Sequence, residues 1–170
     1  MKRVALTTIA VVVLLFPGTA AAGGWETTVE PFPADFVMTS ATCPNLPPGT
    51  TITGTGTGTS VTKTRTDRRG ITTVLNSTIA PGRAVDQAGN RYRFLYSNQF
   101  AVTNTRSDPA LFSGRMVDLF VLQGNGPARL RNGFLANITT DLGEQFTFDP
   151  IFAFGDPIDF ETGAARCDPL

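Results

Sequence analysis

The chain contains no histidine. That absence excludes Ser-His and Cys-His nucleophile pairs, His-ligated zinc and the usual neutral-pH general base. Cysteine is nearly as scarce: Cys43 and Cys167 are the only two, and two thiols without a histidine do not make a metal site. Charge is thin as well, at 16% of residues, with 14 Lys+Arg balanced by 14 Asp+Glu. A near-zero balance argues against gripping nucleic acid or an anionic membrane surface through bulk electrostatics. No stretch places apolar residues at i, i+3, i+4 and i+7 among helix formers, so no amphipathic helix is predicted. Beyond the N-terminus there is no apolar run approaching the ~20 residues that a membrane-spanning helix needs.

What is present begins with an export signal. Lys2 and Arg3 precede an apolar stretch over residues 4–16, followed by the helix-breaking pair Pro17-Gly18 and the small residues Ala20-Ala21-Ala22. This pattern predicts a secretory signal peptide over 1–22, cut after Ala22. The apolar stretch is too short to cross a hydrocarbon core about 30 Å thick, so a stable membrane anchor is not expected. Losing Lys2 and Arg3 turns the remaining chain slightly acidic. That remainder suffices for one domain with one core. Pro31 and Pro33 predict an irregular leader over 23–34, ahead of a single domain over 35–170. The predicted location is secreted, outside the cytoplasm.

In an oxidising compartment an even cysteine count favours a disulfide. A Cys43–Cys167 bridge would close a loop of about 125 residues, worth roughly 4–5 kcal/mol on the chain-entropy model. Two free thiols or a pair of intermolecular bridges are the alternatives.

The most distinctive segment is TTITGTGTGTSVTKTRT, residues 50–66. A strand sends successive side chains to opposite faces, so Gly54, Gly56 and Gly58 share one face while Thr53, Thr55, Thr57 and Thr59 share the other. A bare glycine face invites close packing by a backbone or a large ring. Further strands are predicted over 35–42, 71–79, 91–104, 114–123, 129–140 and 145–148. Turns are expected at 44–49, 67–70, Pro81-Gly82, 86–90, 107–109, 124–127 and 141–144. The strand over 114–123 is apolar on both faces, apart from Asp118, and is expected to be buried on both. Turn signals every 8–14 residues predict an all-β fold. The expectation is a single antiparallel barrel or sandwich of about 7–9 strands, its ends tied by the disulfide and its interior filled by phenylalanine.

The order of these features resembles a family of exported bacterial proteins of unknown function. The shared outline is a cysteine (Cys43), a Gly/Thr strand (53–59), an Asp-x-x-Gly hairpin turn (67–70) and a Gly-bearing turn leading to tyrosine (86–92). An aromatic strand (94–100), an apolar strand ending in Gly-x-Gly (117–126), a last Asp/Gly hairpin (141–143) and a closing cysteine (Cys167) complete it. The resemblance implies export and an all-β fold, and brings no activity, cofactor or catalytic residue. Gly23-Gly24-Trp25 also fits the Gly-x-Trp pattern near the start of lipocalins, but its place at the cleavage point, with prolines just after, argues against a first barrel strand.

No constellation for catalysis stands out. The Gly54–Gly58 repeat is not followed by the Gly-Lys-Ser/Thr of a phosphate loop. Ser113 lies outside a Gly-x-Ser-x-Gly elbow, and Lys63, the only lysine after the signal, sits on a threonine-rich strand. Asp149, Asp156, Asp159 and Glu161 are the one carboxylate-rich stretch. They offer a glycosidase-like pair or oxygen ligands for calcium, against the plainer reading of turn formers beside Pro150 and Pro157. The sequons at Asn76 and Asn137 are read as chance matches. Arginines recur in close groups, Arg65 with Arg68 and Arg69, Arg91 with Arg93, and Arg129 with Arg131. The i, i+2 pairs share a face and would suit an anionic sugar or lipid head group, or simply a solvated surface. Asp118, inside an apolar strand, needs a partner, for which an arginine is expected. Tyr92, Phe94 and Tyr96 alternate toward one side and, with Asp118, are the candidate ligand-facing residues. The leading expectation is a secreted, non-catalytic binding or surface domain without cofactor or metal. A lipocalin-like carrier of a small apolar ligand and a carboxylate-dependent hydrolase are the alternatives. Possible partners are such a ligand or a cell-surface component.

Overall fold

The structure is a computed structural model that describes residues 23–43, 45–142 and 146–155, and the backbone of 158–159 and 164–165. The expected signal peptide over 1–22 lies outside the described residues, as does Cys167.

The chain folds into an eight-stranded antiparallel sheet: β1 (Glu26–Pro33), β2 (Phe36–Thr39), β3 (Thr51–Thr66), β4 (Thr72–Asp86), β5 (Arg91–Asn104), β6 (Phe112–Gly124), β7 (Leu130–Thr140) and β8 (Phe146–Phe154). From β3 to β8 it is a meander in which each strand pairs with the next. β1 and β2 share the outer edge of β3, β1 against residues 57–64 and β2 against residues 51–54. Two-residue strands β9 (Ile158–Asp159) and β10 (Ala164–Ala165) pair with each other.

Period-two sidedness runs through every central strand. On β3 the even positions Ile52, Gly54 and Gly58 are buried and the odd threonines 51, 53, 55 and 57 are exposed, as the Thr/Gly alternation predicts. The same parity buries Tyr92 and Phe94 on β5, Phe120 and Leu122 on β6, and Phe134, Ala136 and Ile138 on β7.

The buried face is concave. Phe36 on β2 and Phe120 on β6 are four strand spacings apart, about 19 Å across a flat sheet. Their ring centroids lie 5.9 Å apart, and Phe94 of β5 stands 4.9 Å from Phe36. Phenyl rings reach only part of that gap, so the sheet must curl toward this face. At the other end Phe100 on β5 and Phe146 on β8 meet at 6.1 Å across three spacings. Two clusters result. One joins Phe36, Met38, Ile52, Phe94, Phe120 and Leu122, and the other joins Val102, Phe112, Met116, Phe134 and Ile138.

The glycines permit the curl. A Cβ on Gly54 would fall inside the Phe36 ring, one on Gly58 inside the Phe32 ring, and one on Gly82 against both the Phe94 ring and the Thr55 carbonyl. The rings of β1, β2 and β5 therefore lie flat on the backbone of β3 and β4, where any side chain would hold them off.

Four expectations need correction. The sheet is not closed into a barrel, nor is it two facing sheets. Closure needs donors along both edges. Pro31 and Pro33 on β1 and Pro150 on β8 have no N–H to give, and β8 shifts register at Leu135/Ala136. The supposedly irregular leader is strand β1. Its prolines sit on an edge, where a missing donor costs no ladder bond. Pro81-Gly82 is not a turn. β4 runs through it in unbroken register, with Gly56 opposite Gly82 and Thr59 opposite Ile79, and only the pairs between them drop out beside the donorless Pro81. β6 is not buried on both faces: Val117 is 49% exposed.

Cys43 is fully buried in the first cluster and is not a free thiol. No disulfide joins two described residues.

Overpacking tests the ring-on-glycine contacts. Gly82→Ala should destabilise the fold by about 1–3 kcal/mol, and by more than Gly54→Ala. The Thr55 carbonyl at Gly82 is backbone and cannot yield, whereas the Phe36 ring at Gly54 is the far end of a side chain. Phe120→Ala should cost about 3–5 kcal/mol, all three read from urea midpoints.

Candidate functional site

The four candidate ligand-facing residues all point into the concave face, yet none of them lines an open interior. Tyr92 and Phe94 are buried, Tyr96 is half-buried and Asp118 is buried. Phe94 packs against Phe36 and Phe120, which occupy the space a calyx ligand would need.

Tyr92 serves the β4–β5 turn. Asp86 ends β4, and its Oδ1 accepts from the backbone N–H groups of Ala88 and Asn90, both at 2.9 Å. Its Oδ2 accepts from Asn90 Nδ2 at 2.8 Å and from the Tyr92 hydroxyl at 2.9 Å. Gly89 takes a positive φ of 82° at the turn's tip. The Asn90 side chain above all, then the backbone N–H groups and the Tyr92 hydroxyl, hold the Asp86 carboxyl below its ordinary range, against the opposing effect of burial. Burial, reinforced by the adjacent carboxylate, pushes the Tyr92 phenol up. Asp67 plays the same part in the β3–β4 turn, accepting from Arg69 N at 2.8 Å and Ile71 N at 3.0 Å. Its carboxyl is also lowered, chiefly by the Ile71 bond.

Asp118 belongs to a polar row across the concave face. Ser60, Thr78, Asn98 and Asp118 stand opposite one another on β3 to β6. Asp118 Oδ2 accepts from Tyr96 Oη at 2.8 Å and Asn98 Nδ2 at 2.9 Å. Asn76 Nδ2 donates to Ser60 Oγ and Thr62 Oγ1, each at 2.9 Å, and Thr78 Oγ1 donates to Ser60 Oγ at 3.2 Å. The sequence gives no hint of Tyr96 as a partner for Asp118, because that pairing depends on β5–β6 register.

Of the carboxylate-rich stretch expected over 149–161, only Asp149 has a described side chain. Asp149 is exposed and accepts from Asn137 Nδ2 at 3.0 Å. The side chains of Asp156, Asp159 and Glu161 lie outside the described residues. No group of three or more Cys, Asp or Glu suited to a metal occurs among the described residues.

The arginines do come together, on the outer face. Arg93 stands opposite Arg83 on one side and Gln123 on the other. Gln123, Val121, Arg129 and Arg131 line a shallow, largely open surface depression where β6 meets β7. Arg131 also lies over the Phe154 ring at 5.5 Å. Arg83 was not among the arginine groups read from the sequence. Its pairing with Arg93 follows from a turn centred on Ala88, a signal masked by the turn expected at Pro81-Gly82.

The turn carboxylates set the acid limb of stability. A carboxyl lowered in the folded state contributes stability that is full above the unfolded pKa, near 3.9, and lost as pH falls through the lower folded value. Unfolding midpoints should therefore hold through neutral pH and drop below about pH 4. Asp86→Ala should lower the neutral midpoint and flatten that drop. The raised Tyr92 phenol acts at the other end: its contribution is full below about pH 10, the free phenol value, and fades above it. Tyr92→Phe should remove that alkaline decline.

No family model matches the chain, and no match is found among curated proteins or solved structures.

Proposed function

We propose that the chain is an exported, non-catalytic β-domain that works through its outer surface, as a member of the exported β-protein type it resembles. The observation that carries this reading is the filled concavity. Phe36, Phe94 and Phe120 stand with ring centroids 4.9–6.2 Å apart on the face where a carrier would hold its ligand. The buried carboxylates favour the same conclusion. Asp86 is tied up in a turn by four hydrogen bonds, and Asp118 accepts from Tyr96 and Asn98, so both read as structural groups rather than a general acid and base.

Export and the Cys43–Cys167 bridge belong to the same proposal. The burial of Cys43 in the first aromatic cluster suits a sulfur sealed into a bridge at the start of the fold.

Native mass spectrometry of the exported protein tests all three parts. The expected species begins at Gly23, is lighter by two hydrogens than the reduced chain, and carries no small molecule. A retained apolar ligand that survives mild activation would favour the carrier instead. A full complement of thiol hydrogens would remove the bridge.

A further inference from the structure

The near-zero net charge conceals a one-sided distribution. On β4 to β7 the odd-numbered residues face outward, and their cross-strand register arranges them in rows. One row sets Arg83 opposite Arg93, with Arg91 beside it on β5. The next runs Pro81, Leu95, Val121, Arg131. Ile79, Ser97 and Leu119 follow, and after them Gln99, Val117, Leu135 and Phe152. Arg115 closes the patch on the far side, opposite Asn137. Apolar side chains in three successive rows thus lie among arginines, with Ser97 and Gln99 between them. Phe152 is 59% exposed and Ile79 is 51% exposed, so the patch is open among the described residues. The acids of these strands, Asp86 and Asp118, both point to the concave side and are buried. No Asp or Glu faces outward from β4 to β7; on β8 the exposed Asp149 does, opposite Asn137 in the Arg115 row, so an acid stands at that rim of the patch and none beside Arg83, Arg91 and Arg93.

We infer that this outer face docks on an anionic lipid surface. Guanidinium groups hold the phosphate head groups, and the apolar rows between them rest against the acyl boundary. The inference deepens the outer-surface reading above and rests on it. Charge complementarity selects the partner. Arginine forks match phosphate geometry, and at the Arg83, Arg91 and Arg93 end no outward acid competes for them, the outward Asp149 lying at the opposite rim beside Asn137. The apolar rows select the lipid over a soluble polyanion, which would satisfy the arginines but leave Val117, Leu119 and Phe152 in water. The shallow, solvent-open depression between Val121, Arg129 and Arg131 brings both chemistries side by side.

Co-sedimentation of the exported protein with vesicles tests this. Vesicles of mixed phosphatidylcholine and phosphatidylglycerol should bind at least tenfold more tightly than phosphatidylcholine alone, and binding should weaken with salt. Each arginine near the surface is worth about fivefold, so Arg83→Gln with Arg93→Gln should lose roughly 25-fold. Val117→Ser with Leu119→Ser should also weaken binding, whereas Arg106→Gln in the β5–β6 loop should not. Circular dichroism checks that each variant keeps its sheet, and the comparison of vesicles on the unaltered chain decides the matter if one does not. Equal binding to both vesicles, binding to neither, or full binding by both double variants would overturn the inference. So would a soluble polyanion, duplex DNA or heparin, that binds as tightly and is indifferent to Val117→Ser with Leu119→Ser. Any of these leaves the filled-interior reading standing, since native mass spectrometry decides that separately.

Discussion

The fold depends on aromatic rings lying directly on glycine backbone. A sheet of eight strands, seven across, can bury its aromatic face in two ways, against a second layer or against itself. Glycines on the inner side of β3 and β4 make the second way possible. Phe32 lies on Gly58, Phe36 on Gly54 and Phe94 on Gly82, so rings rooted on distant strands converge without intervening side chains. Glycine in a strand interior ordinarily weakens it through entropy and lost packing. Here the area buried by each ring offsets that cost. The outward threonines of β3, good strand formers, keep the segment extended where its glycines alone would not.

The same contacts account for an open sheet. Closing a barrel requires edge to meet edge with donors and acceptors in register. The rings have already filled the concavity before the edges approach, and prolines sit on both edge strands. Pro31, Pro33 and Pro150 also blunt those edges against pairing with other chains, the role proline often takes at sheet borders.

Much of this was legible in the residues. The Thr/Gly repeat announced both its strand and its glycine face, and the prediction of a ring or backbone packed on that face holds at Gly54, Gly56 and Gly58. The Asp67 and Asp86 turns were visible because an aspartate that caps its own turn leaves a local mark. Failures cluster where long-range register decides. Pro31 and Pro33 read as breakers because nothing local reveals that their strand is an edge. Pro81-Gly82 read as a turn because nothing local reveals that Gly82 faces a phenyl ring from β5. The apolar outward side of β6 read as buried because sequence hydrophobicity does not say whether a second layer exists. The candidate site divides in the same way. Tyr92, Phe94, Tyr96 and Asp118 were assigned to one face, as they are. Whether that face was hollow turned on Phe36, a residue from another strand.

Charge separates the outer face from the inner one. Like charges set directly across a strand pair are destabilising, and the magnitude of such pair terms is roughly 0.2–1 kcal/mol. The fold sets Arg83 opposite Arg93 with no outward acid on the four central strands to relieve them. It also leaves Ile79, Val117 and Phe152 in solvent between further arginines. Neither feature follows from building the concave core, which needs only the even-numbered positions of these strands. Threonine at the odd positions would have served the sheet equally well, as the outer side of β3 demonstrates. The two sides of one period-two pattern are therefore under different constraints. The inner side is dictated by packing, while the outer side carries a combination of cations and exposed apolar groups that packing does not require, and that combination is the chemistry of a surface made to meet something anionic and greasy.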